Sequence, residues 1–415
     1  MAIVLFEDEP TAGLAPLALT RPAFDVLCGG QRLVDVVRQI DPKYRCVVRK
    51  HLRDVADADF ARAVQGRLSG DQPTLFVNAR LVPAAAVAGQ LQALLTAGRS
   101  GKVLVGDQTA IAVTHTRIAE DVSQPQKLAD WLEAQSLETL DAEVSLFALP
   151  HEVVAEHLKI TSDNLEQLIA SGLYRQQQEG VFLGTDARIG PHVVTDTQAG
   201  PIVLEQGVTV GSHCYLRGPI HLGQDTTVVE QSSIKGPVSA GRHTKLGGEI
   251  TASIIDSYAN KAHHGFLGHS YLGSWVNFGA GTTNSNLKNT YGEIQVDYEG
   301  HKLATGMQFL GCMVGDYAKT AINTAIFTGK TVGVASMLYG TVTANVPSFV
   351  NHAGGLGQST ELSPDVAVQM QARMFARRGR TARDCDANVL QAVYQLTSDE
   401  RRRWDPELDQ GPPVF

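Results

Sequence analysis

Between Asn260 and Asn289 the chain reads NKAHHGFLGHSYLGSWVNFGAGTTNSNLKN. Two adjacent imidazoles, His263 and His264, stand just ahead of steps in which an apolar residue precedes a glycine: Leu267-Gly268, Leu272-Gly273 and Phe278-Gly279. A turn at Gly279 to Gly281 and the carboxamides of Asn284 and Asn286 follow. A neutral imidazole poised near pH 7 can take the proton an ammonium must lose before its nitrogen attacks a thioester. An asparagine amide or a backbone N–H can hold the oxyanion that forms. A further imidazole, His243, lies upstream, and His264 and His269 are separated by four residues. Three imidazoles with one open position would instead lower the pKa of a zinc-bound water.

Two other sets of side chains could bind or react. Arg21 and Asp25 in TRPAFD, Asn78 and Arg80 in VNAR, and Asp107 in VGDQ each follow an apolar run that reads as a strand. In α/β sheets, ligands bind at such carboxyl ends. The plainer reading makes TRP a turn and NAR a solvated loop. Near the end, Arg373, Arg377, Arg378, Arg380 and Arg383 form a basic cluster. It is either a solvated face or a clamp for a phosphate-bearing ligand.

The elements that must position these groups follow from periodicity. The first 150 residues alternate short apolar runs (Ala2–Phe6, Cys46–Val48, Thr74–Val77, Lys102–Val105) with helical patterns at Gly30–Ile40 and Pro83–Leu95. That alternation predicts an α/β, Rossmann-like domain over 1–150. Gln124–Gln135 and Leu149–Gly172 read as helices, with Ser162 or Asp163 as an N-cap, and 151–180 is a helical connector. From Val181 to Val332-Gly333 the steps FLG, RIG, TVG, HLG, KLG, YLG, NFG and MVG recur. They predict a parallel β-helix over 181–345, whose coils bury their apolar faces only by stacking. Thr282–Lys302 breaks the period and reads as a loop thrown out of the helix. Residues 346–415 read as a helical extension, with helices at Pro364–Ala376, Ala387–Leu396 and Ser398–Trp404.

Composition narrows the function classes. A net charge of −8 implies no general affinity for nucleic acid or an anionic membrane. The longest apolar run falls short of the roughly 18 residues a membrane helix needs. The cysteines at 28, 46, 214, 312 and 385 are odd in number and lack CxxC spacing, which favours a reducing compartment. The start, MAIVLFEDEP, turns acidic too soon for a signal peptide, so a soluble cytoplasmic protein is expected.

The LF-D-E start, LTRP-F-D, VNARLVP and the long motif NKAHHGFLGHSYLGSWVNFGAGTTNSNLKNTYG carry a resemblance over nearly the full length. The chain resembles the alternative bacterial form of the bifunctional UDP-N-acetylglucosamine diphosphorylase and glucosamine-1-phosphate N-acetyltransferase family. The resemblance implies a nucleotidyltransferase-like domain followed by a left-handed β-helix of hexapeptide repeats, with the acyl site between subunits of a homotrimer. It implies acetyl-CoA as cosubstrate and places His263, five residues before Gly268, on the catalytic histidine, with His264 as the alternate. Asn277 and Asn286 fall on sugar- and acyl-site asparagines. Phe266 falls where a substrate-contacting tyrosine is usual, so that hydroxyl is missing. The family's phosphate-binding lysine falls on Thr251, leaving Arg217, Lys235, Lys245 or Lys261 to serve instead. The CoA-binding candidates are Arg377, Arg378 and Arg380.

The first half departs further. The family's Gly-rich nucleotide loop is absent, and Glu7-Asp8-Glu9 stands there, which repels a triphosphate. The magnesium-binding aspartate is replaced by Asn78, a weaker ligand. Either Arg21, Asp25 and Asp107 form a different catalytic set, or the domain only binds.

Four readings remain. The first is acyl transfer from acyl-CoA to an amino-sugar phosphate, coupled to or evolved from nucleotidyl transfer that gives a UDP-sugar. The second is sugar-1-phosphate nucleotidyl transfer alone, with magnesium. The third is a zinc-dependent hydratase on the same solenoid, and the fourth a non-catalytic sugar-nucleotide-binding protein. The first is the expected one, and it needs no metal at the solenoid site.

Overall fold

Runs without polar alternation become strands buried on both faces. Ala2–Phe6 forms β1, and Arg45–Val47 (β2), Thr74–Asn78 (β3), Gly101–Val105 (β4) and Gln108–Thr114 (β5) complete a sheet of order β2-β1-β3-β5-β4. The computed structural model describes residues 2–61, 63, 64, 73–116, 118, 122–298 and 300–409. Helices Leu33–Ile40 (α1), Arg53–Asp59 (α2), Ala85–Ala97 (α3) and Pro125–Ala134 (α4) accompany the sheet. Val4, Phe6, Phe76 and Ala112 pack with Leu128 and Leu132 of α4. The alternate residues Ile3, Leu5, Leu75 and Val77 are equally buried on the other face.

The sequence reading missed β5. It follows β4 after a two-residue turn at Gly106-Asp107, and it runs antiparallel to both β3 and β4. The sheet is therefore mixed, with β1, β2 and β3 parallel. This first compact unit gathers Met1–Leu14, Ala18–Val26 and Gln31–Leu149.

The second unit gathers Ala15–Leu17, Leu27–Gly30 and Pro150–Phe415. It opens with one continuous helix, Pro150–Ala170 (α5). Thr161-Ser162-Asp163, expected to cap a new helix, lies within α5 instead. The Thr161 hydroxyl is satisfied by the His157 carbonyl one turn back, so it terminates nothing.

The repeats then form a parallel solenoid. Among the described residues its strands build sheets of nine, ten and five strands, with three more strands continuing the third. Leu183, Leu204, Leu222, Ala240, Ile255, Leu272, Val314 and Val332 stack in register in the first sheet. Leu216, Ile234, Ile250 and Leu267 do the same in the third. At most steps, though not at Gly268, the glycine is demanded by the backbone of the neighbouring coil. A Cβ on Gly211 would sit 2.5 Å from the backbone nitrogen of Glu230.

The excursion both begins and ends later than Thr282–Lys302. Thr283–Asn284 still pairs with Ala325–Ile326, and the protruding part folds into a hairpin, Gln295–Tyr298 against His301–Ala304. Two strands of the second sheet, Val350–Ala353 and Gln358–Glu361, lie within 346–415, which was expected to be helical. Helices Pro364–Arg377 (α6), Asp384–Leu396 (α7) and Ser398–Trp404 (α8) follow.

Candidate functional site

His263 and His264 occupy the bend between Asn260–Lys261 on the second sheet and Phe266–Gly268 on the third, and both are exposed. The next coil supports this bend: Gly281 N–H donates to the His264 carbonyl at 3.1 Å. A Cβ on Gly265, whose φ is +121°, would strike the carbonyl of Thr282, so the bend can pass only with glycine there.

Lys261 holds the bend from inside. Strand alternation puts it in the core column after Leu246, a slot that other coils fill with apolar residues. Its Nζ is buried and donates to the carbonyls of Gly247 at 3.0 Å and His263 at 2.6 Å. Burial pushes this ammonium down to about 8. Lys261 therefore does not present a charge to a substrate phosphate, as had been expected of it, but fixes the backbone that carries His263.

The third-sheet face leads to a second group. Arg217, Lys235, Thr251 and Gly268 are successive register partners, so Lys235 lies one coil from the position where a phosphate-binding lysine was missing. Lys235 is paired with Glu249 at 2.8 Å. The Phe266 ring lies over Gly268, and Asn286 Nδ2 reaches the same spot. Asn286 also donates to Nδ1 of His269 at 2.9 Å, and the His269 ring stacks on Phe309. Burial lowers this imidazole to about 4, so it is neutral at pH 7. The strand Phe266–Gly268, three residues or about 10 Å, separates this group from His263.

The second-sheet face carries Lys245, Asn260, Asn277 and Lys319 in register and pointing outward. Asn260 Nδ2 donates to Asn277 Oδ1 at 3.5 Å. α6 packs beside this row. Phe375 joins Tyr258 and Trp275, Arg378 donates to Asn260 Oδ1 at 2.8 Å, and Arg380 donates to the Tyr258 hydroxyl at 2.8 Å. Arg377 remains exposed. One chain thus brings His263 and Asn277 to adjacent coils, while Asn286 sits at the next bend.

His243, His264 and His269 do not converge in one chain. His243 stacks on Tyr258 and pairs with Asp225, while His269 belongs to the Asn286 group. Among the described residues no group of three or more His, Cys, Asp or Glu is placed to hold a metal.

In the first unit, the carboxyl ends of β1 and β3 carry a closed polar network. Glu7 and Asp8, expected to repel a triphosphate, are buried and neutralised. Glu7 pairs with Arg49 and accepts the N–H of Ala23, and Asp8 pairs with Arg80 at 2.6 Å. Burial alone would raise the Asp8 carboxyl, but the bond and charge of Arg80, with Asn78 and Thr11, carry it below the usual range. Asn78 is buried, donating to Asp8 and the Thr109 carbonyl, and Arg80 is capped by the Phe147 carbonyl and Gln108. Arg21 is buried and pairs with Asp25, which also meets Arg32. Asp107 is exposed in the β4–β5 turn at the same sheet edge.

Sequence reading missed Asn260, Lys319 and Phe309. Asn260 and Lys319 fill the outward slot of Asn277 in neighbouring coils, but the excursion between Asn277 and Lys319 hides that register.

Residues 3–171 match the model of a family described as sugar nucleotidyl transferase. A bifunctional sugar-1-phosphate nucleotidylyltransferase/acetyltransferase of Sulfurisphaera tokodaii is 32% identical over 142 residues, 34% of this chain and 35% of that protein. The bifunctional protein GlmU of Methanococcus vannielii is 32% identical over 90 residues, 22% of each. The chain therefore spans about a third or less of the curated relatives it matches. The solved structure of a Francisella novicida UDP-N-acetylglucosamine acyltransferase overlaps with a TM-score of 0.28 at 16% identity, over 55% of this chain and 84% of that one. Residues 3–171 are thus similar to the sugar nucleotidyl transferase family, and a parallel β-solenoid and a helical C-terminal segment follow them.

Proposed function

We propose that the solenoid transfers an acyl group, acetyl in the simplest case, from acyl-CoA to the amine of an amino-sugar phosphate. The N-terminal domain is proposed to make the nucleotidyl transfer that gives a UDP-sugar. The observation that carries this reading is the exposed His263, set on a braced solenoid bend in a chain one of whose relatives is named for both transfers.

In the acyl transfer, His263 takes a proton from the amine as its nitrogen bonds to the thioester carbonyl carbon. The tetrahedral oxyanion is held by an amide donor, from Asn277 or from Asn286 of a neighbouring copy. Collapse breaks the carbon–sulfur bond, and the proton on His263 passes to the departing thiolate. A homotrimer would close the site, because a groove between solenoids can combine the second-sheet face of one copy with the Asn286 bend of another. Arg217 and Lys235 stand on the third-sheet face to meet a sugar phosphate there. Among the described residues no cysteine forms a disulfide, in keeping with a cytoplasmic setting.

For the nucleotidyl step, magnesium when bound would neutralise phosphate charge. Asp8 and Asn78 are already committed to Arg80 and to each other, so an exposed carboxylate at that edge, Asp107, is proposed to hold the ion together with the substrate's own phosphates.

The test is two assays on one preparation. Release of CoA thiol from acetyl-CoA with an amino-sugar phosphate, and release of pyrophosphate from UTP with the acetylated sugar phosphate, should both occur. Loss of thiol release would sink the acyl reading, and loss of pyrophosphate release the nucleotidyl one. Light scattering should give three chains per particle, and a monomer at micromolar concentration would count against the shared site.

A further inference from the structure

The row beside α6 has an order set by one constraint. A guanidinium only donates, so Arg378 fixes the amide of Asn260 with its oxygen toward the arginine. The Nδ2 of Asn260 then meets the oxygen of Asn277, and the Nδ2 of Asn277 faces outward as a free donor. The ammonium of its register partner Lys319 donates to the thioether of Met374 at 2.7 Å, a weak acceptor. On the other side Lys245 is exposed in the same row. Among the described residues none of Lys245, Lys319 and Arg378 makes an ion pair, while Asp225 is taken by His243 and Glu249 by Lys235. The strip is donors throughout, with cations at both ends, on an acidic protein that would more readily have supplied carboxylates there.

We propose that this strip, from Arg378 through Asn260 and Asn277 to Lys319, binds the phosphate monoester of one substrate of the acyl transfer. It rests on the acyl-transfer reading for its biological ligand, but not for the anion site itself. The C-terminal extension then has a function in catalysis: α6 delivers Arg378 and aligns the two amides, so that the row reads as a dianion site one coil from the bend of His263. Two sources share the chemistry, the sugar phosphate and the 3′-phosphate of CoA.

The experiment uses the full chain and the variants Lys319→Met, which keeps the stem against Met374, and Arg378→Gln. First, inorganic phosphate and pyrophosphate are titrated calorimetrically. Binding to the wild type that weakens roughly 10- to 100-fold in either variant supports the site, that being the usual loss for a hydrogen bond to a charged group. Unchanged binding, or none to the wild type, overturns it. Second, KM is compared for the amino-sugar phosphate and the unphosphorylated amino sugar, and for acetyl-CoA and its 3′-dephospho form. A KM rise of about the same size confined to the phosphorylated acceptor assigns the strip to the sugar, and one confined to CoA assigns it to the cosubstrate. Equal changes for both members of each pair overturn the assignment. If the wild type binds phosphate at the strip but shows no acyl transfer, the activity reading fails and the anion site stands. A melting temperature near the wild type's, with Arg378→Lys restoring binding in part, separates a lost contact from an undocked α6.

Discussion

The ammonium of Lys261 donates to the backbone carbonyl of His263 at 2.6 Å, from inside the solenoid core. This couples a buried charge to the bend that carries the proposed base. Burial holds the folded pKa at about 8, below the ordinary 10.5. Between those values the unfolded chain binds the extra proton, so stability rises with pH there, and the full cost of burying the charge applies below about 8. Relative to Lys261→Met, the wild type should therefore gain stability in urea unfolding as pH climbs from 8 toward 10.5. A difference that stays flat across that window would mean the ammonium reaches solvent.

Replacing His263 with alanine should lower acyl transfer by roughly 10²- to 10⁴-fold, the worth of a positioned base. The loss should fall in kcat, because the proton moves in the transition state. His264→Ala should do less. Both rings are exposed in one bend rather than on alternate faces of a strand, so the contrast between the variants tests which ring meets the amine. Full activity in His263→Ala with none in His264→Ala would reverse the assignment.

Asp8→Ala strands the buried Arg80 guanidinium, which should destabilise the N-terminal unit by about 3–5 kcal/mol. Because the folded Asp8 carboxyl lies below its ordinary value, its contribution is present at neutral pH and is lost as acid protonates it below about 3.8. Denaturant curves at pH 7 and pH 3 measure this. The gap between wild type and variant should shrink in acid, and an equal gap at both would assign the effect to packing.

Gly268→Ala puts a methyl group where the Phe266 ring and Asn286 Nδ2 now lie, with Nδ2 only 2.6 Å from the new Cβ. Both obstacles are side-chain ends that can swing aside, so the melting temperature should move little. Asn286 should leave His269, and if it serves the acyl site, turnover should fall by about 10²-fold, as for a misplaced contact. Unchanged turnover would remove Asn286 from the reaction.

The repeat itself was legible in the chain. An apolar residue before a glycine is a local signal, because the side chain must point inward and at most steps the neighbouring coil leaves no room for a Cβ on that glycine. The α/β alternation was legible for the same reason. β5 escaped because an antiparallel return after a two-residue turn leaves no helix to announce it. What the sequence could not decide were the partners. Lys261 looked like any surface lysine beside a motif, and only the coil register showed that it occupies a core slot. Glu7 and Asp8 looked like an open acidic patch, yet their counter-ions come from Arg49 and Arg80, far along the chain on the neighbouring parallel strands' ends. The amide chain from Arg378 to Asn277 joins residues more than a hundred positions apart. Periodicity encodes which way a side chain points, because backbone geometry alone dictates it. Which charge a side chain meets depends on where folding brings distant segments, and that was decided by the tertiary structure.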